Sequence, residues 1–391
     1  MTVTILITIC ILLLMSYIFD ISASKTRIPS IILLLLLGFG LKHLTNIFKI
    51  PVPDLEPSLP ILGTIGLILI VLEGALEVDL NRSKIKHVGI ATLLALLPMV
   101  LMAGIITYSL VYFEHATFKS ALVNAIPLCI ISSAIAIPSA RNLRKSEKEF
   151  VTYESSLSDI FGVILFDFFV LNENIESQTF GYFFIELLVM LIVAVLASIL
   201  LAFFIAKIKH HIKFLPIILL VVLIYAVSKE FHLPALIFIL LFGLALHNID
   251  QIKDIKFFSH FSTDIFKKEV HRFSEITTEF AFLIRSVFFL LFGFVIKFVD
   301  VINLATLPYA LGISALIFLF RAIFLNLFRM SLSPLLYLAP RGLITILLFL
   351  SIPTKMSIPI INNALMIQVI LICAIIMMIG LIFTGGKKEE V

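Results

Sequence analysis

The sequence is a succession of apolar runs, each about as long as a helix that crosses a lipid bilayer. The runs last about 15–25 residues, and the segments between them are mostly short. Hydrophobic residues make up 61% of the 391 residues, charged residues only 14%, and the mean hydropathy is +1.17. Because a soluble domain carries about a quarter charged residues, we expect an all-α polytopic membrane protein. The runs lack the alternation that is typical of the strands of an outer-membrane barrel.

Thirteen hydrophobic spans can be counted, which predict about 13 transmembrane helices. The segment 248–278, between spans 9 and 10, mixes charged and aromatic residues and is predicted to be an interfacial amphipathic helix. The approximate span boundaries are 4–19, 28–44, 60–78, 88–113, 120–140, 152–171, 181–206, 214–227, 233–247, 279–298, 301–328, 334–352 and 360–383.

The basic residues between the spans predict the orientation of the chain. Loops on one side, with the C-terminal tail, hold 20 of the 29 Lys and Arg residues, and loops on the other side hold six. The remaining three, Arg285, Arg321 and Arg341, lie within spans. Since cytoplasmic loops carry the excess of basic residues, we expect an external N-terminus and a cytoplasmic C-terminus in a bacterial-type inner or plasma membrane.

Span 6 begins with two carboxylates and several hydroxyls, in the order Glu154, Ser155, Ser158 and Asp159. A charge near the centre of a bilayer costs about 3 kcal/mol on insertion scales, so such residues normally face a protein interior or a water-filled cavity. We therefore interpret Asp159 as an ion or proton site. The alternative is that these acids lie at the cytoplasmic end of the helix and only cap or pair, which carries more weight for Glu154 than for Asp159 because Glu154 lies nearer a basic loop.

Spans 5 and 12 contain residues that interrupt a membrane helix. Span 5 includes Ser132, Ser133 and Ala136-Ile137-Pro138, and span 12 includes Pro340-Arg341-Gly342 followed by Thr345. Proline removes a backbone hydrogen bond and clashes with the preceding turn. Interrupted helices at corresponding places of two halves point to the binding site of a secondary transporter. We expect spans 1–6 and 8–13 to form inverted repeats linked by span 7; the alternative is two unrelated proline kinks.

Several functions are not indicated by the sequence. The histidines and cysteines show no metal-ligand spacing, and no nucleophile is accompanied by a base, so we expect neither an enzyme nor a cofactor. The net charge of +4 comes from basic residues spread between spans, which does not indicate nucleic-acid binding.

Four stretches of the chain resemble the monovalent cation/proton antiporters, in the branch that includes NhaP-type bacterial exchangers and the animal sodium/proton exchangers. Phe320-Arg321 also fits a position where that family often has arginine. The four stretches are Ile28-Pro29-Ser30-Ile31 with Gly38 and Gly40, Leu62-Gly63 through Glu73-Gly74-Ala75-Leu76-Glu77, Glu154-Ser155 through Ser158-Asp159 with Gly162-Val163, and Pro340-Arg341-Gly342 with Leu350-Ser351-Ile352-Pro353.

Two departures from the family pattern bear on transport. Ser158-Asp159 stands where this branch usually has Asn-Asp and electrogenic branches usually have Asp-Asp, so one titrating carboxylate remains. Ala136-Ile137-Pro138 stands where the family usually has Thr-Asp-Pro, so an acid of the span-5 crossover is missing. Serine hydroxyls of span 5 would supply oxygens in its place.

The resemblance implies a secondary transporter that exchanges Na⁺ or K⁺ for a proton by alternating access. One carboxylate that binds either ligand predicts electroneutral 1:1 exchange. We expect Arg341 to pair with Glu154 and to offset the partial negative charge at the C-terminal ends of the broken helices. The implied ion and proton ligands are Asp159, Ser158, Ser155, Glu154 and the backbone at Ala136 and Pro138; the charge-compensating residues are Arg341 and Arg321; and possible auxiliary residues are Ser132, Ser133, Thr345 and Glu73.

The resemblance also implies a division into a core and a scaffold that forms a homodimer. Residues 1–80 and 181–299 would form the scaffold, with the linker helix 7 in the second range, and residues 88–171 and 300–383 would form the core. Residues 384–391 would be a short cytoplasmic tail. Two alternatives stay open: a non-transporting membrane sensor or effector on an antiporter scaffold, which the missing acid of span 5 favours, and a cation channel lined by the broken helices.

Overall fold

The computed structural model describes residues 2–26, 28–49, 55, 57–78, 85–172, 177–207, 213–231, 233–248 and 264–384. Short 3-10 turns lie at Leu335–Tyr337 and Thr354–Met356. Within the described ranges the chain forms fifteen α-helices: α1 (Thr2–Thr26), α2 (Ser30–Ile47), α3 (Ser58–Glu77), α4 (Ile85–Glu114), α5 (Phe118–Cys129), α6 (Ser133–Ser139), α7 (Lys145–Leu171), α8 (Ser177–Lys207), α9 (Phe214–Glu230), α10 (Leu236–His247), α11 (Asp264–Val295), α12 (Phe298–Val301), α13 (Leu307–Leu327), α14 (Leu343–Leu350) and α15 (Asn363–Thr384).

The predicted class, an all-α polytopic membrane protein, is confirmed. Eight described segments are long and apolar enough to cross a membrane, and one of them, Phe118–Ser139, contains both α5 and α6. The count of thirteen spans and the orientation of the termini stay predictions. The tail after Thr384 lies outside the described residues.

The predicted start of span 10 is wrong. The helix begins at Asp264 rather than near residue 279, so the second half of the predicted interfacial segment continues directly into the span. The physical reason is that this stretch contains neither proline nor glycine before Gly293, so nothing in it ends a helix. Residues 249–263, the first half of that segment, lie outside the described residues.

Close helix packing holds one group of helices together. Helices α2 and α3 pack against α11, and α10 packs against α3 and α8. Where α2 crosses α11, a Cβ atom on Gly38 would lie 2.8 Å from the backbone nitrogen of Phe294, and one on Gly293 would lie 2.9 Å from the Cα atom of Leu35. Glycine at both positions lets the two backbones approach closely, as is common between membrane helices.

A second group of helices contains both predicted interruptions. Helix α4 packs against α5 and α7, and α13 packs against α15. In span 5 the helix stops after Cys129 and restarts at Ser133, with Ile130 extended at φ −82° and ψ 131°. In span 12, a non-helical stretch separates the 3-10 turn from α14. The backbone N–H of Ser132 donates to the carbonyl of Pro340 at 2.9 Å. Both spans are therefore broken, and their breaks touch; the inverted-repeat relationship stays a prediction.

Candidate ion site at two touching broken helices

Helix α7 carries both predicted carboxylates into the protein interior. Glu154 and Asp159 are each only 1% exposed. Five residues apart on a helix, they point about 140° away from each other around its axis. A Cβ atom on Gly162 would collide with the side chain of Ile130, so α7 lies directly against the break in span 5. The two acids therefore have different surroundings.

Asp159 faces the start of α6. Its Oδ2 atom accepts the backbone N–H of Ser133 at 3.2 Å and also the hydroxyl of Ser133. Ser133 is the first residue of α6, where backbone N–H groups have no partner inside the helix. The other carboxylate oxygen, Oδ1, is buried and has no hydrogen-bond partner among the described residues. One oxygen of Asp159 is thus held in place while the other is open to a ligand.

Two of the predicted serine ligands bond to the backbone. Ser158 Oγ accepts the N–H of Ile131, at 2.9 Å, within the broken stretch. Ser155 Oγ donates to the carbonyl of Val151, one turn earlier in α7, at 2.7 Å. Ser158 therefore ties α7 to the break, and Ser155 lies one turn from Asp159 on the same face.

Further buried hydroxyls near the break have no hydrogen-bond partner among the described residues. Ser132 adjoins Ser133, and a Cβ atom on Gly342 would lie 3.1 Å from Ser132 Oγ. Ser156 lies three residues before Asp159 on α7, and α14 begins directly after Gly342. A buried polar atom without a partner costs about 1–3 kcal/mol, so these oxygens suit a polar ligand. The unpartnered hydroxyl oxygens are Ser132 Oγ, Ser156 Oγ and Thr345 Oγ1.

Glu154 is engaged in an ion pair, and its predicted pairing with Arg341 is wrong. Its two carboxylate oxygens accept hydrogen bonds from Nη1 and Nη2 of Arg321, at 2.7 and 2.9 Å. Arg321 also donates from Nε to the carbonyl of Leu335 at 2.6 Å. The side chain of Glu154 points towards α13, because it lies on another side of α7 than Asp159. With both oxygens occupied, Glu154 is not available as the ion ligand that the sequence predicted.

Arg341 instead bonds to backbone carbonyls at the break of span 5. Its Nε donates to Leu128 at 2.8 Å, and its Nη2 donates to Cys129 at 3.2 Å. A third bond joins Nη1 to the carbonyl of Ala339 at 3.0 Å. The last carbonyls of a helix have no partner inside it, and here a fully buried guanidinium group supplies the donors for α5.

The backbone at Ala136 and Pro138 is not free, contrary to the prediction. The carbonyls of these two residues accept the N–H groups of Ala140 and Arg141, at 3.0 and 3.4 Å. Both residues lie inside α6. The reason is that proline has no N–H to donate to the carbonyl four residues earlier, and for Pro138 that carbonyl belongs to Ala134. The break itself lies at residues 130–132.

Glu73 is paired with an arginine of the scaffold. It is buried on α3, with Oε2 3.7 Å from Nη1 of Arg285 on α11. The adjoining Gly74 packs against α7, where an added Cβ atom would lie 2.7 Å from Ser156 Oγ. Glu73 thus lies near the line where α3 meets α7, already paired with a cation.

A cavity of about 530 Å³ approaches the site from one end of α7. Helices α3, α7, α10 and α11 line it, and it reaches Thr152 and Tyr153, about two turns from Asp159. At the other end of α7, Asp167 Oδ2 lies 3.1 Å from Lys229 Nζ of α9, and the cavity beside this ion pair measures about 10 Å³. The loop charges predict that the wide end is cytoplasmic.

Comparison with known proteins agrees with this arrangement. The family profile described as "Sodium/hydrogen exchanger, transmembrane" matches residues 9–385. Two structures of the sodium proton antiporter MjNhaP1 from Methanocaldococcus jannaschii are similar over nearly the whole length. The structure at pH 8 has a TM-score of 0.68 and 20% identity, covering 99% of this chain and 100% of the antiporter. The electron-microscopy structure has a TM-score of 0.71 and 18% identity, covering 100% of both. At these identities the likeness establishes the fold. No protein of curated function matches the chain.

Proposed function

The chain belongs to the sodium/hydrogen exchanger family, and from this premise we propose that it exchanges one monovalent cation, Na⁺ or K⁺, for one proton at Asp159. The observation that supports this most directly is the carboxylate itself. It is buried, one oxygen is held by Ser133, and the other has no partner among the described residues. A proton or a dehydrated cation can occupy that free oxygen, and each displaces the other.

The surrounding oxygens support binding of an alkali cation. Hard cations take oxygen ligands, which replace the water that they lose on entering a protein. The hydroxyls of Ser132, Ser156 and Thr345 are buried and unpartnered among the described residues. We propose that some of these, with Asp159, form the cation site, in place of the backbone at Ala136 and Pro138. The transported ion is cargo, so the proposal includes no resident cofactor.

The 1:1 stoichiometry rests on Glu154 being unavailable. Because both of its oxygens accept Arg321, only one carboxylate of α7 remains at the break to carry a proton or a cation. A carrier that exchanges one cation for one proton moves no net charge. We therefore propose electroneutral exchange.

We propose that alternating access is a movement of the core against the scaffold. The core consists of α4–α7 and α13–α15, and the scaffold consists of α1–α3 and α8–α11. The cavity of about 530 Å³ at one end of α7 and the cavity of only about 10 Å³ beside the Asp167–Lys229 ion pair at the other are consistent with one end state of such a movement. Among the described residues, three ion pairs join core to scaffold: Asp20 with Arg141 at 2.6 Å, Glu77 with Lys148 at 3.7 Å and Asp167 with Lys229 at 3.1 Å. We also propose that the scaffold forms a homodimer, as the resemblance implies.

The test is cation-driven proton flux into proteoliposomes. The wild type and Asp159→Asn would be compared in Na⁺, K⁺ and Li⁺, with Glu230→Gln, an exposed acid at the end of α9, as the control. We expect flux in the wild type and the control, and only background flux in Asp159→Asn. Flux that persists in Asp159→Asn would rule out the assigned carrier, and absence of flux in the wild type with every cation would favour the sensor.

The stoichiometry has its own measurement. A voltage imposed across the proteoliposome membrane leaves the rate of electroneutral exchange unchanged. A rate that depends on voltage would contradict one-for-one exchange while leaving Asp159 as the carrier. A channel would be recognised by single-channel currents.

A further inference from the structure

A groove of about 450 Å³ runs between α4 and α13, away from the candidate ion site. Its volume is in the range of small-molecule sites. The groove is bounded by α4 and α13 and by residues before and at the start of α15, and most of its lining is apolar. The lining residues used below are Ile105, Ser109, Phe113, Glu114, Tyr309 and Gly312.

The groove faces the lipid at the level of a membrane surface. Along α4, Tyr108, Tyr112 and Phe113 are 72%, 65% and 68% exposed, and aromatic side chains of this kind concentrate where the bilayer meets water. The apolar part of the groove continues from this level as far as Ile105, which lies about two turns deeper in α4. The groove can therefore hold the upper part of a hydrocarbon chain, and it opens at headgroup level.

A carboxylate stands at the headgroup end. Glu114 is the last residue of α4, is exposed, and makes no ion pair or hydrogen bond among the described residues. The groove also contains hydroxyls of Ser109 and Tyr309. A carboxylate selects a cationic group, and an ammonium group with N–H donors binds it more strongly than one whose nitrogen is fully methylated, because only the former donates charge-assisted hydrogen bonds.

We propose that this groove binds one phospholipid with a primary ammonium headgroup, its acyl chain lying between α4 and α13 and its ammonium group on Glu114. Phosphatidylethanolamine has this chemistry; phosphatidylcholine lacks the N–H donors and phosphatidylglycerol lacks the cation. The loop charges predict that this end of α4 is external, so the lipid would come from the outer leaflet. The proposal is independent of Asp159 and of cation exchange.

Two substitutions isolate the two parts of the proposed site. Gly312→Leu fills the groove, and it is expected to fold because a Cβ atom at Gly312 meets no atom within 4 Å. Its control is Gly89→Leu, which has equally open space near the opposite end of α4. Glu114→Gln removes the charge, and its control is Glu230→Gln, an exposed acid at the end of α9.

The experiment is native mass spectrometry of the full chain in detergent, titrated with each of the three synthetic lipids. We expect one molecule of phosphatidylethanolamine to bind the wild type and both controls more tightly than phosphatidylcholine. Gly312→Leu should abolish this binding, and Glu114→Gln should weaken it by up to about fivefold, as for a partly exposed ion pair. Equal binding of all three lipids, or binding unchanged by Gly312→Leu, would overturn the proposal. Preference for phosphatidylglycerol would overturn the ammonium assignment.

Discussion

Helix α7 holds two buried carboxylates within five residues, and their surroundings differ completely. Both oxygens of Glu154 are occupied by one guanidinium group, in the bidentate geometry that arginine and a carboxylate favour. Asp159 is held at one oxygen by two neutral donors of Ser133, and its other oxygen is free among the described residues. Burial alone therefore does not identify an ion site: a counter-charge holds Glu154, whereas Asp159, which we propose as the exchanging acid, has none among the described residues.

The largest expected effect is on thermal stability, and it distinguishes Glu154 from Asp159. Glu154→Gln leaves the buried Arg321 without its counter-charge, which costs about 3–5 kcal/mol, so we expect a fall in Tm on the order of 5–10 °C in detergent. Asp159→Asn should leave Tm within a few degrees of the wild type but abolish proton flux. Loss of flux in Asp159→Asn accompanied by the same fall in Tm would contradict the division into a structural and an exchangeable acid.

Removing both members of the ion pair sharpens the comparison. In the double variant Glu154→Leu with Arg321→Met, no charge is left unpaired, so we expect it to be more stable than either single variant. The recovery should be incomplete, because the carbonyl of Leu335 loses the donor that Arg321 supplies. Thermal unfolding of the two single variants and the double variant measures the coupling. Additive losses would mean that the pair is not a unit.

A smaller effect is expected from the partner of Asp159. Ser133→Ala removes one of the two donors to Oδ2 while the backbone N–H remains. Since a hydrogen bond to a charged group contributes about 1.5–3 kcal/mol, we expect cation affinity, measured from the concentration dependence of flux, to change by about ten- to a hundredfold. Ser139→Ala is the matched control, because that hydroxyl donates to the carbonyl of Ile135 within α6. Equal effects of the two substitutions would remove Ser133 from the site.

The smallest expected effect concerns an unpartnered hydroxyl. Ser156→Ala removes a buried polar atom that has no hydrogen-bond partner in the described part of the chain, which should raise the free energy of unfolding by about 1 kcal/mol. If Ser156 is a cation ligand, the same substitution lowers cation affinity by about two- to fivefold, within the range of a single neutral hydrogen bond. A rise in Tm with unchanged affinity would show that Ser156 takes no part in binding.

Residues whose chemistry conflicts with an apolar surrounding were the most predictable. The inward orientation of Asp159 follows from its charge within a run of membrane length. The interruptions of spans 5 and 12 follow from the hydroxyl residues and prolines within those runs. The partner of Glu154 did not follow, because Arg321 and Arg341 are both buried arginines of neighbouring spans, and only the placement of Arg321 beside Glu154 in the folded chain decides between them. The sequence also predicts free backbone carbonyls near Pro138, whereas the helix is interrupted at residues 130–132.

Ser156 illustrates a different limit. A serine in a membrane helix usually bonds to a carbonyl of the preceding turn, as Ser155 does with Val151. Nothing in the sequence distinguishes the two neighbouring serines. The difference arises because Gly74 of α3 brings its backbone against Ser156, a contact between distant parts of the chain.

The bond between Ser132 N–H and the carbonyl of Pro340 joins the two broken stretches through the main chain alone. Replacing the side chain at either position leaves both bonding atoms in place, with proline at position 132 as the exception because it removes the donor. Substitutions of the hydroxyl side chains around Asp159 can thus change which cation is preferred, while the main-chain hydrogen bond between the two broken stretches remains.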